Sequence, residues 1–543
     1  MKPTRRGFLK VSGVLAAGAG ISVLPWDGFR SLAGFETAAA AAPAPQAYPA
    51  PLSPLAVPAA AAGPAGAGAG VLAALNRAAF GPRPGDLAAV QQIGVDNWID
   101  QQLAPETIDD SAAQRKLTEL PTLTMNMAQL FDGYGRKAKP GPARVVYELS
   151  SATLLRAVYS ERQLLETLVD FWSNHFNIYI HKDQCVWLKT LDDRDVVRKH
   201  ALGNFHDLLL ASAQSPAMLD FLDNRYNVKA APNENYAREV MELHTLGVDG
   251  GYTQQDVEEV ARCLTGWTMR VPGNPAAMRQ VQNRPLPAPG FFFNARQHDN
   301  GSKQVLGTAI PAGGGIKDGL QVFDLLAHHP STARFVATRL TRRFLADDPP
   351  GALVDAAAAT FTRTGGDIRQ TLGTLLHSDE FKGSFGKKAR RPLEFVAAAL
   401  RGLGADSDGG LPILNALNNM GQLPFNWQAP DGYPDTSAAW INTNGLLNRW
   451  NFALALATNK IKGTHVDLQA TPNASMALTA AGLVDFWAGR LLGRPLAPAD
   501  RAGLTAFVGA GRPADFELSA RMLEVRVPEL VALLMASPYF QQR

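Results

Sequence analysis

Residues 233–267 read NENYAREVMELHTLGVDGGYTQQDVEEVARCLTGW. Asn233 is a favourable helix N-cap and Gly247 a favourable helix end, so a helix is predicted between them. Thr253 and Asp256 stand three residues apart, as in a capping box with Asp in the place of Glu. The residues that follow place apolar side chains at every third or fourth position. The stretch therefore predicts two consecutive amphipathic helices.

Helical periodicity continues on both sides of this stretch, over most of the chain after residue 70. Residues 290–306 differ, because a Phe-Phe-Phe run, an Asn300-Gly301 pair and a short apolar return are typical of a β-hairpin. The expected fold class is therefore mainly α. We expect a large multi-helix domain, in one or two helical lobes, with a small β-hairpin near 290–306.

The N-terminus reads like an export signal. It begins with TRRGFLK at residues 4–10, in which Arg5 and Arg6 form a twin-arginine pair, and an uncharged, mildly apolar stretch and small residues follow. The alternative is an amphipathic or disordered N-terminus with a chance arginine pair. Residues 1–42 are expected to be a twin-arginine signal peptide that the twin-arginine translocase recognises, which places the protein in the periplasm or outside the cell.

Composition sets the domain boundaries and excludes two classes of partner. Residues 43–69 form an Ala/Pro/Gly-rich linker, since they contain few large apolar side chains to bury. The helical domain then takes residues 70–543, with 441–543 as a candidate C-terminal helical lobe. The net charge is only +3 and no long basic run occurs, so nucleic acid is not expected as a partner. After the signal, no segment approaches the roughly 20 apolar residues of a membrane span.

Two carboxylates of the central stretch are candidate catalytic or metal-binding groups. Glu239 and Glu242 share one face of a regular helix with Asn235. That face could bind a divalent metal through oxygen, or one carboxylate could act as a general acid or base. The structural alternative is an ion pair between Glu242 and Arg238, four residues before it.

Histidines supply further candidates. His175 lies near the end of an apolar helix, where it is either a ligand or proton shuttle, or a helix cap or satisfied core residue. His244 lies on the apolar stripe of the central helix and ranks lower. His298 and Asp299 precede the Asn300-Gly301 turn, and Lys303 follows it. This loop presents three reactive groups together, or it is a turn in which Asp299 makes an Asx-type hydrogen bond.

A mixed site follows if these segments converge: His175, Glu239, Glu242, His298 and Asp299. Such a ligand set suits a divalent metal such as Zn, Mn or non-haem Fe. The sequence contains no H-E-x-x-H, C-x-x-C-H, G-x-S-x-G or phosphate-loop motif, which disfavours the corresponding enzyme classes. The two cysteines, Cys185 and Cys263, are either a disulfide or two buried thiols.

An aromatic loop is the candidate binding surface. Trp427, Tyr433 and Trp440 stand among Asn, Asp, Gly and Pro residues between two helical segments. Exposed aromatic rings there, with Lys303, could hold sugar rings or a partner protein. The alternative is that the rings attach a long loop to the core.

The chain resembles the DUF1800 family. Besides residues 233–267, the resemblance rests on LNRAAFGPRPGDL (75–87), FWSNHFNI (171–178), RQHDNGSKQVLG (296–307) and the final SPYFQQR. It implies a helical architecture and frequent export, and it brings no mechanism. Members are often described beside exported proteins related to alkaline phosphatases and sulfatases, which suggests such a protein as a partner by association.

Two functions remain open. The leading hypothesis is an extracytoplasmic enzyme with a His/carboxylate site, with or without a metal, that acts on an extracellular polymer or small molecule. The alternative is a non-enzymatic periplasmic or surface protein that binds glycans or a partner protein.

Overall fold

The computed structural model describes residues 67–272, 289–468 and 478–543. The predicted signal peptide, with Arg5 and Arg6, lies outside the described residues, as does nearly all of the predicted linker. The described chain is mainly helical with small two-stranded sheets, as predicted. Up to the central stretch, the α-helices are Ala67–Ala73, Asp86–Ile93, Val95–Leu103, Ser111–Leu117, Met127–Gly133, Pro142–Tyr159, Gln163–His175, Cys185–Asp192, Arg198–His200, Phe205–Gln214, Pro216–Phe221, Glu234–Glu239 and Gln254–Cys263.

Helices also dominate the second half of the chain. Searched over the described residues, no helix has both the length and the apolar character needed to cross a membrane. Short 3₁₀ turns occur at Pro105–Thr107, Pro121–Thr124, Asn224–Tyr226 and Ser437–Ala439. The later α-helices are Ile316–His328, Pro330–Phe344, Gly351–Arg363, Ile368–Leu376, Asp379–Lys382, Pro392–Leu403, Leu411–Asn419, Thr443–Ala457, Ala480–Leu492, Pro498–Val508, Ala520–Ala536 and Pro538–Gln541.

The predicted helix signals of the central stretch are the ones that the chain uses. The Asn233 side chain accepts a hydrogen bond from the Asn235 amide at 2.9 Å, which satisfies one of the free amides at the helix start. Thr253 and Asp256 form a complete capping box. Gly247 adopts a φ of 80°, a left-handed conformation that suits glycine at a helix end.

In the part of the chain that the structure describes, three π-helical segments interrupt the regular helices: Ala74–Ala78, Asp193–Val197 and Val240–Thr245. A π-helix has about one residue more per turn than an α-helix. Each segment therefore rotates, about the helix axis, the side chains that come after it in the chain. π-Turns are rare and occur often near functional sites. The third segment continues the central helix and carries both Glu242 and His244.

The strands near residues 290–306 pair differently from a single hairpin. β1 (Trp267–Arg270) pairs antiparallel with β2 (Gly290–Phe293), and β3 (Lys303–Val305) pairs with β4 (Thr308–Ile310). The tight turn is therefore made by residues 306 and 307, both with positive φ, rather than by residues 300 and 301. A third sheet joins β5 (Asp406–Ser407) to β6 (Thr464–His465).

Two large apolar cores organise the described chain. The first takes residues from Val71 to Phe381. The second takes residues from Leu393 to Phe540, together with a few side chains from earlier in the chain, including Phe80. The separate lobe over 441–543 stays a prediction, and the second core begins well before it.

The two cysteines settle one alternative. Cys185 and Cys263 are both buried and both free, so they do not form a disulfide. Burial raises the pKa of each thiol, to about 12 for Cys263, so both are unreactive thiols in the apolar interior.

Candidate functional site

Two buried histidines meet behind the central helix. His175 Nε2 donates a hydrogen bond to the backbone carbonyl of His244 at 3.0 Å, and the two rings are 6.0 Å apart. His175 Nδ1, both ring nitrogens of His244 and the Tyr236 hydroxyl have no hydrogen-bond partner among the described residues. Burial, with the nearby Arg339 charge, lowers the pKa of both histidines, to about 3 for His244. Both are therefore neutral at pH 7.

The role of His175 is partly structural. The carbonyl to which it donates lies in the last turn of the central helix, where backbone carbonyls lack helical partners. His175 thus joins the end of Gln163–His175 to the end of the central helix.

The two central carboxylates do not lie on a regular helical face. Glu239 ends the α-helical part and Glu242 lies within the π-segment, so the assumed spacing of side chains no longer holds. Arg238 pairs with Glu234, four residues before it, at 2.9 Å. Glu242 accepts a hydrogen bond from the Tyr252 hydroxyl at 3.3 Å.

His298 and Lys303 belong to one buried network. His298 Nδ1 lies 2.8 Å from the Thr265 carbonyl, and its Nε2 lies 3.2 Å from Asp318 Oδ2. Lys303 Nζ donates to the same Asp318 oxygen at 2.6 Å and to the Gly301 carbonyl at 2.9 Å. The network fixes the loop before β3. Lys303 is therefore not an exposed binding group.

Asp299 makes the predicted Asx-type turn. Its Oδ1 accepts from the Gly301 amide at 2.8 Å, and its Oδ2 accepts from Arg262 Nε at 2.8 Å. The Arg262 guanidinium holds the pKa of Asp299 below its ordinary value. Arg262 and Asp318 were missed from sequence because neither stands in a recognisable pattern.

The proposed metal ligands are not brought together as one site. His175 meets His244, whereas His298 and Asp299 bond to Asp318 and Arg262. Within residues 67–272, 289–468 and 478–543, no group of three or more His, Cys, Asp or Glu side chains is arranged to hold a metal ion. The convergence that the metal hypothesis required is thus missing from the described chain.

The aromatic loop is attached to the core. Tyr433 and Trp440 are buried, and their polar atoms donate to backbone carbonyls of the same loop. Asn174 holds the loop from outside, because its amide both donates to and accepts from the Tyr433 backbone, at 2.8 and 2.7 Å. Asn177 donates to the Trp427 carbonyl at 3.0 Å. The loop does not present Tyr433 and Trp440 as an exposed stacking surface.

Beneath this loop lies a cavity of about 40 Å³, which has room for a few water molecules. Glu166 and Asp193 line it, and both accept hydrogen bonds from Arg198, at 2.8 to 2.9 Å. Ser173 Oγ and Asp193 Oδ1 have no partner among the described residues. Apolar side chains such as Phe80 and Val169 make up most of its surface, and it is too small for a sugar or a nucleotide.

A buried ion network joins the two cores. Glu394, in the second, is contacted by Arg343, Arg391 and Arg543, with Arg543 Nε 3.0 Å from Oε2. Arg343 and Arg391 also pair with Asp170. Although burial alone would raise it, the three arginines hold the pKa of Glu394 well below its usual range. Sequence gave no sign of this network, since its members come from four distant stretches.

A surface groove of about 410 Å³ has the size of a small-ligand site. We call it the Arg136–Arg225 groove. Three separate loops and one helix start contribute to it, which is why sequence patterns did not reveal it. Its lining residues are Phe131, Gly135, Arg136, Asp183, Gln184, Trp187, Arg225, Val271 and Pro272.

Aromatic rings and guanidinium groups alternate along this groove. Phe131 and Trp187 contact each other with ring centroids 4.7 Å apart, and the Arg136 guanidinium lies 5.6 Å from the Trp187 ring. Arg225 lies 4.4 Å from the ring of Tyr226, just beside the groove. Tyr226 is 58% exposed, whereas Trp187 is only 5% exposed. Tyr226 is thus the ring that a ligand can reach directly.

Polar groups of the groove are only partly satisfied. Arg136 Nη2 donates to the Asp183 carbonyl at 3.0 Å, and Arg225 Nη1 pairs with Asp220 at 2.8 Å. Arg225 Nη2 lies 3.8 Å from the Asp183 carboxylate. The carbonyl oxygen of the Gln184 side chain is shielded from solvent and has no partner among the described residues.

The loop that carries Asp183 is held in a strained shape. Asp183 has a φ of 42°, a left-handed conformation that is uncommon for residues other than glycine. Lys182 fixes the loop from the adjacent position, since Nζ donates to the Phe221 carbonyl at 2.6 Å and to Asp223 at 2.9 Å. Strain of this kind persists only where surrounding contacts enforce it, and it occurs often at binding sites.

One of the comparisons with known proteins found a match. Residues 73–542 match the family model described as "Protein of unknown function (DUF1800)". No curated protein and no solved structure matches the chain. The family match spans both apolar cores and brings no residue roles with it.

Proposed function

The chain belongs to the DUF1800 family, and on that premise we propose that it is an extracytoplasmic glycan-binding protein whose ligand lies in the Arg136–Arg225 groove. One observation carries the proposal: an exposed aromatic ring, Tyr226, stands beside a groove whose lining includes two guanidinium groups, a carboxylate and a side-chain amide. Export through the twin-arginine translocase belongs to the same proposal, and it rests on residues 1–42.

This combination suits a sugar better than an apolar ligand. A sugar ring offers an apolar face to an aromatic ring and several hydroxyls at its rim. Each hydroxyl both donates and accepts hydrogen bonds. Arg136 can only donate and the Asp183 carboxylate can only accept, whereas the Gln184 amide does both. His175 and His244 are buried, and the aromatic loop is attached to the core. The proposed site therefore differs from the one that the sequence suggested.

Isothermal titration with a panel of soluble oligosaccharides tests the proposal. We expect at least one glycan to bind the full chain, and Tyr226→Ala and Gln184→Ala to weaken it by about tenfold each, equivalent to about 1.4 kcal/mol. Trp450→Ala is the matched control, because Trp450 is a similarly exposed ring on Thr443–Ala457. If no glycan binds at millimolar concentration, or if the control weakens binding equally, the proposal fails.

An enzyme centred on the buried histidines is the second candidate. The observation in its favour is the set of three imidazole nitrogens and one tyrosine hydroxyl without partners. Neutral imidazoles with free lone pairs can accept protons. A screen for hydrolysis of the bound glycan, repeated with His244→Gln, tests this candidate. Turnover that His244→Gln abolishes without lowering the melting temperature would support it, and turnover unchanged in the variant would exclude this centre.

A further inference from the structure

We propose that the glycan held in the Arg136–Arg225 groove is anionic, a chain of uronic-acid sugars, and that the cations of residues 135–140 recognise its carboxylates. This inference rests on the proposed glycan-binding function and names the class of sugar. The segment reads GRKAKP and begins at the wall of the groove.

The three cations of this segment have no acidic partners. Arg136, Lys137 and Lys139 are exposed, and among the described residues no carboxylate pairs with any of them. Some exposed arginines elsewhere do have such a partner, as Arg369 has Glu106. Unpaired like charges within four residues repel one another, so a bound anion relieves a cost that the free protein carries.

Arg136 is already positioned for an anion. One face of its guanidinium lies over the Trp187 ring at 5.6 Å, and one Nη2 hydrogen is used by the Asp183 carbonyl. No other donor of Arg136 is bonded to a described residue. Because one edge and one face of this guanidinium are already held, it loses little conformational freedom when its other edge binds a carboxylate through two parallel hydrogen bonds.

The other cations around the groove are neutralised. Arg225 pairs with Asp220 at 2.8 Å, and Lys182 pairs with Asp223 at 2.9 Å. The free positive charge is therefore confined to one side, along the segment 135–140. The segment turns at residues 135–138, where the Ala138 amide donates to the Gly135 carbonyl at 2.8 Å, so the three cations are grouped on one exposed turn. A group of like charges suits a ligand with several charges better than one with a single charge.

A uronate chain also matches the uncharged part of the groove. Its hydroxyls can reach the Asp183 carboxylate, and its ring face can contact Tyr226. A simple acidic peptide such as polyglutamate supplies the charges but offers no ring face to Tyr226. The carboxylate of Asp183 lies 3.8 Å from Arg225, which offsets its repulsion of an anionic ligand.

The experiment compares oligogalacturonate with the same oligosaccharide after reduction of its carboxyl groups to hydroxymethyl groups. We expect the full chain to bind the uronate about tenfold more tightly, and this preference to shrink at high salt. Arg136→Gln should weaken uronate binding about fivefold, and the Lys137→Gln, Lys139→Gln double variant by a similar factor. The double lysine variant should leave the reduced oligosaccharide unaffected, whereas Arg136→Gln should weaken it less than it weakens the uronate, because Arg136 also donates to neutral hydroxyls. Lys460→Gln, at an exposed lysine elsewhere, is the control.

The outcomes separate the two proposals. Equal binding of the uronate and its reduced form overturns this inference and leaves glycan binding intact. If neither sugar binds, and the wider panel also fails, both proposals fall. Polyglutamate or a single-stranded RNA that binds as tightly as the uronate, with the same loss in Arg136→Gln, overturns the sugar class and shows a site for polyanions in general.

Discussion

His175 and His244 are buried side by side. A ring nitrogen of His175 has a hydrogen-bond partner among the described residues, whereas neither ring nitrogen of His244 has one there. Both pay the cost of leaving water, which for an unsatisfied polar group is about 1–3 kcal/mol. Such a cost persists in a protein when the group has another use or when water satisfies it. Packing alone therefore does not explain why these two histidines are buried.

The pH dependence of stability should report these histidines. Their folded pKa values lie below the ordinary value of about 6.5, so below that pH the unfolded chain binds protons that the folded chain does not. The free energy of unfolding therefore has its full value above about pH 7. Below that, it decreases by about 1.4 kcal/mol per pH unit for each histidine.

His244→Leu should halve this decrease in the free energy of unfolding at low pH. Urea denaturation between about pH 7 and pH 5 measures it, and above about pH 7 the profiles of the variant and the parent should run parallel. Near pH 7 the variant should lose little stability, because an unsatisfied imidazole is replaced by an apolar group of similar size. A profile in His244→Leu as steep as in the parent would show that His244 is not the buried, neutral group described.

At the scale of elements, the capping box of the Gln254–Cys263 helix is the feature that sequence predicted most completely. Thr253→Ala removes the side-chain acceptor of a helix amide and should lower the free energy of unfolding by about 1 kcal/mol. Thr253→Ser keeps the hydroxyl and should lie within a few tenths of the parent. Thermal or urea unfolding measures both, and equal losses in the two variants would exclude capping as the cause.

The attachment of the aromatic loop offers a second test. Asn174→Ala removes both hydrogen bonds between its amide and the Tyr433 backbone. We expect faster proteolysis within residues 423–440 and a loss of about 1–3 kcal/mol, since two buried backbone groups lose their partners. The control is Asn448→Ala, whose exposed amide bonds within and beside its own helix. Cleavage at unchanged rates would mean that the loop is held by its rings alone.

Sequence predicted helix starts and ends because those signals are local. Asn233, Gly247 and the Thr253 box depend on residues a few positions apart. It missed the π-segment at Val240–Thr245, because the extra residue is enforced by what packs around the helix. It also missed the partner of β2, since β1 lies across the undescribed residues 273–288. The Arg136–Arg225 groove escaped for the same reason: distant loops meet there and none carries a motif.

At the scale of the whole molecule, the Glu394 network connects the two cores. Glu394→Gln keeps the shape of the side chain but leaves Arg343, Arg391 and Arg543 without their shared carboxylate. Removing one partner of a buried ion network costs about 3–5 kcal/mol, so the melting temperature should fall by several degrees. Asp485→Asn, in an exposed pair with Arg501, is the control and should leave it unchanged. Equal changes of melting temperature in Glu394→Gln and Asp485→Asn would show that burial of the Glu394 network does not increase its contribution to stability.

The buried, unpaired thiols carry a consequence for how this molecule matures. A fold of this size that contains no disulfide needs neither an oxidant nor an isomerase, and it reaches the same state in a reducing or an oxidising compartment. Unfolding curves recorded with and without a thiol reductant should therefore superimpose, and a divergence would reveal cross-linking of the unfolded chain. Maturation that is indifferent to redox state is what a chain would require to finish folding before it crosses a membrane.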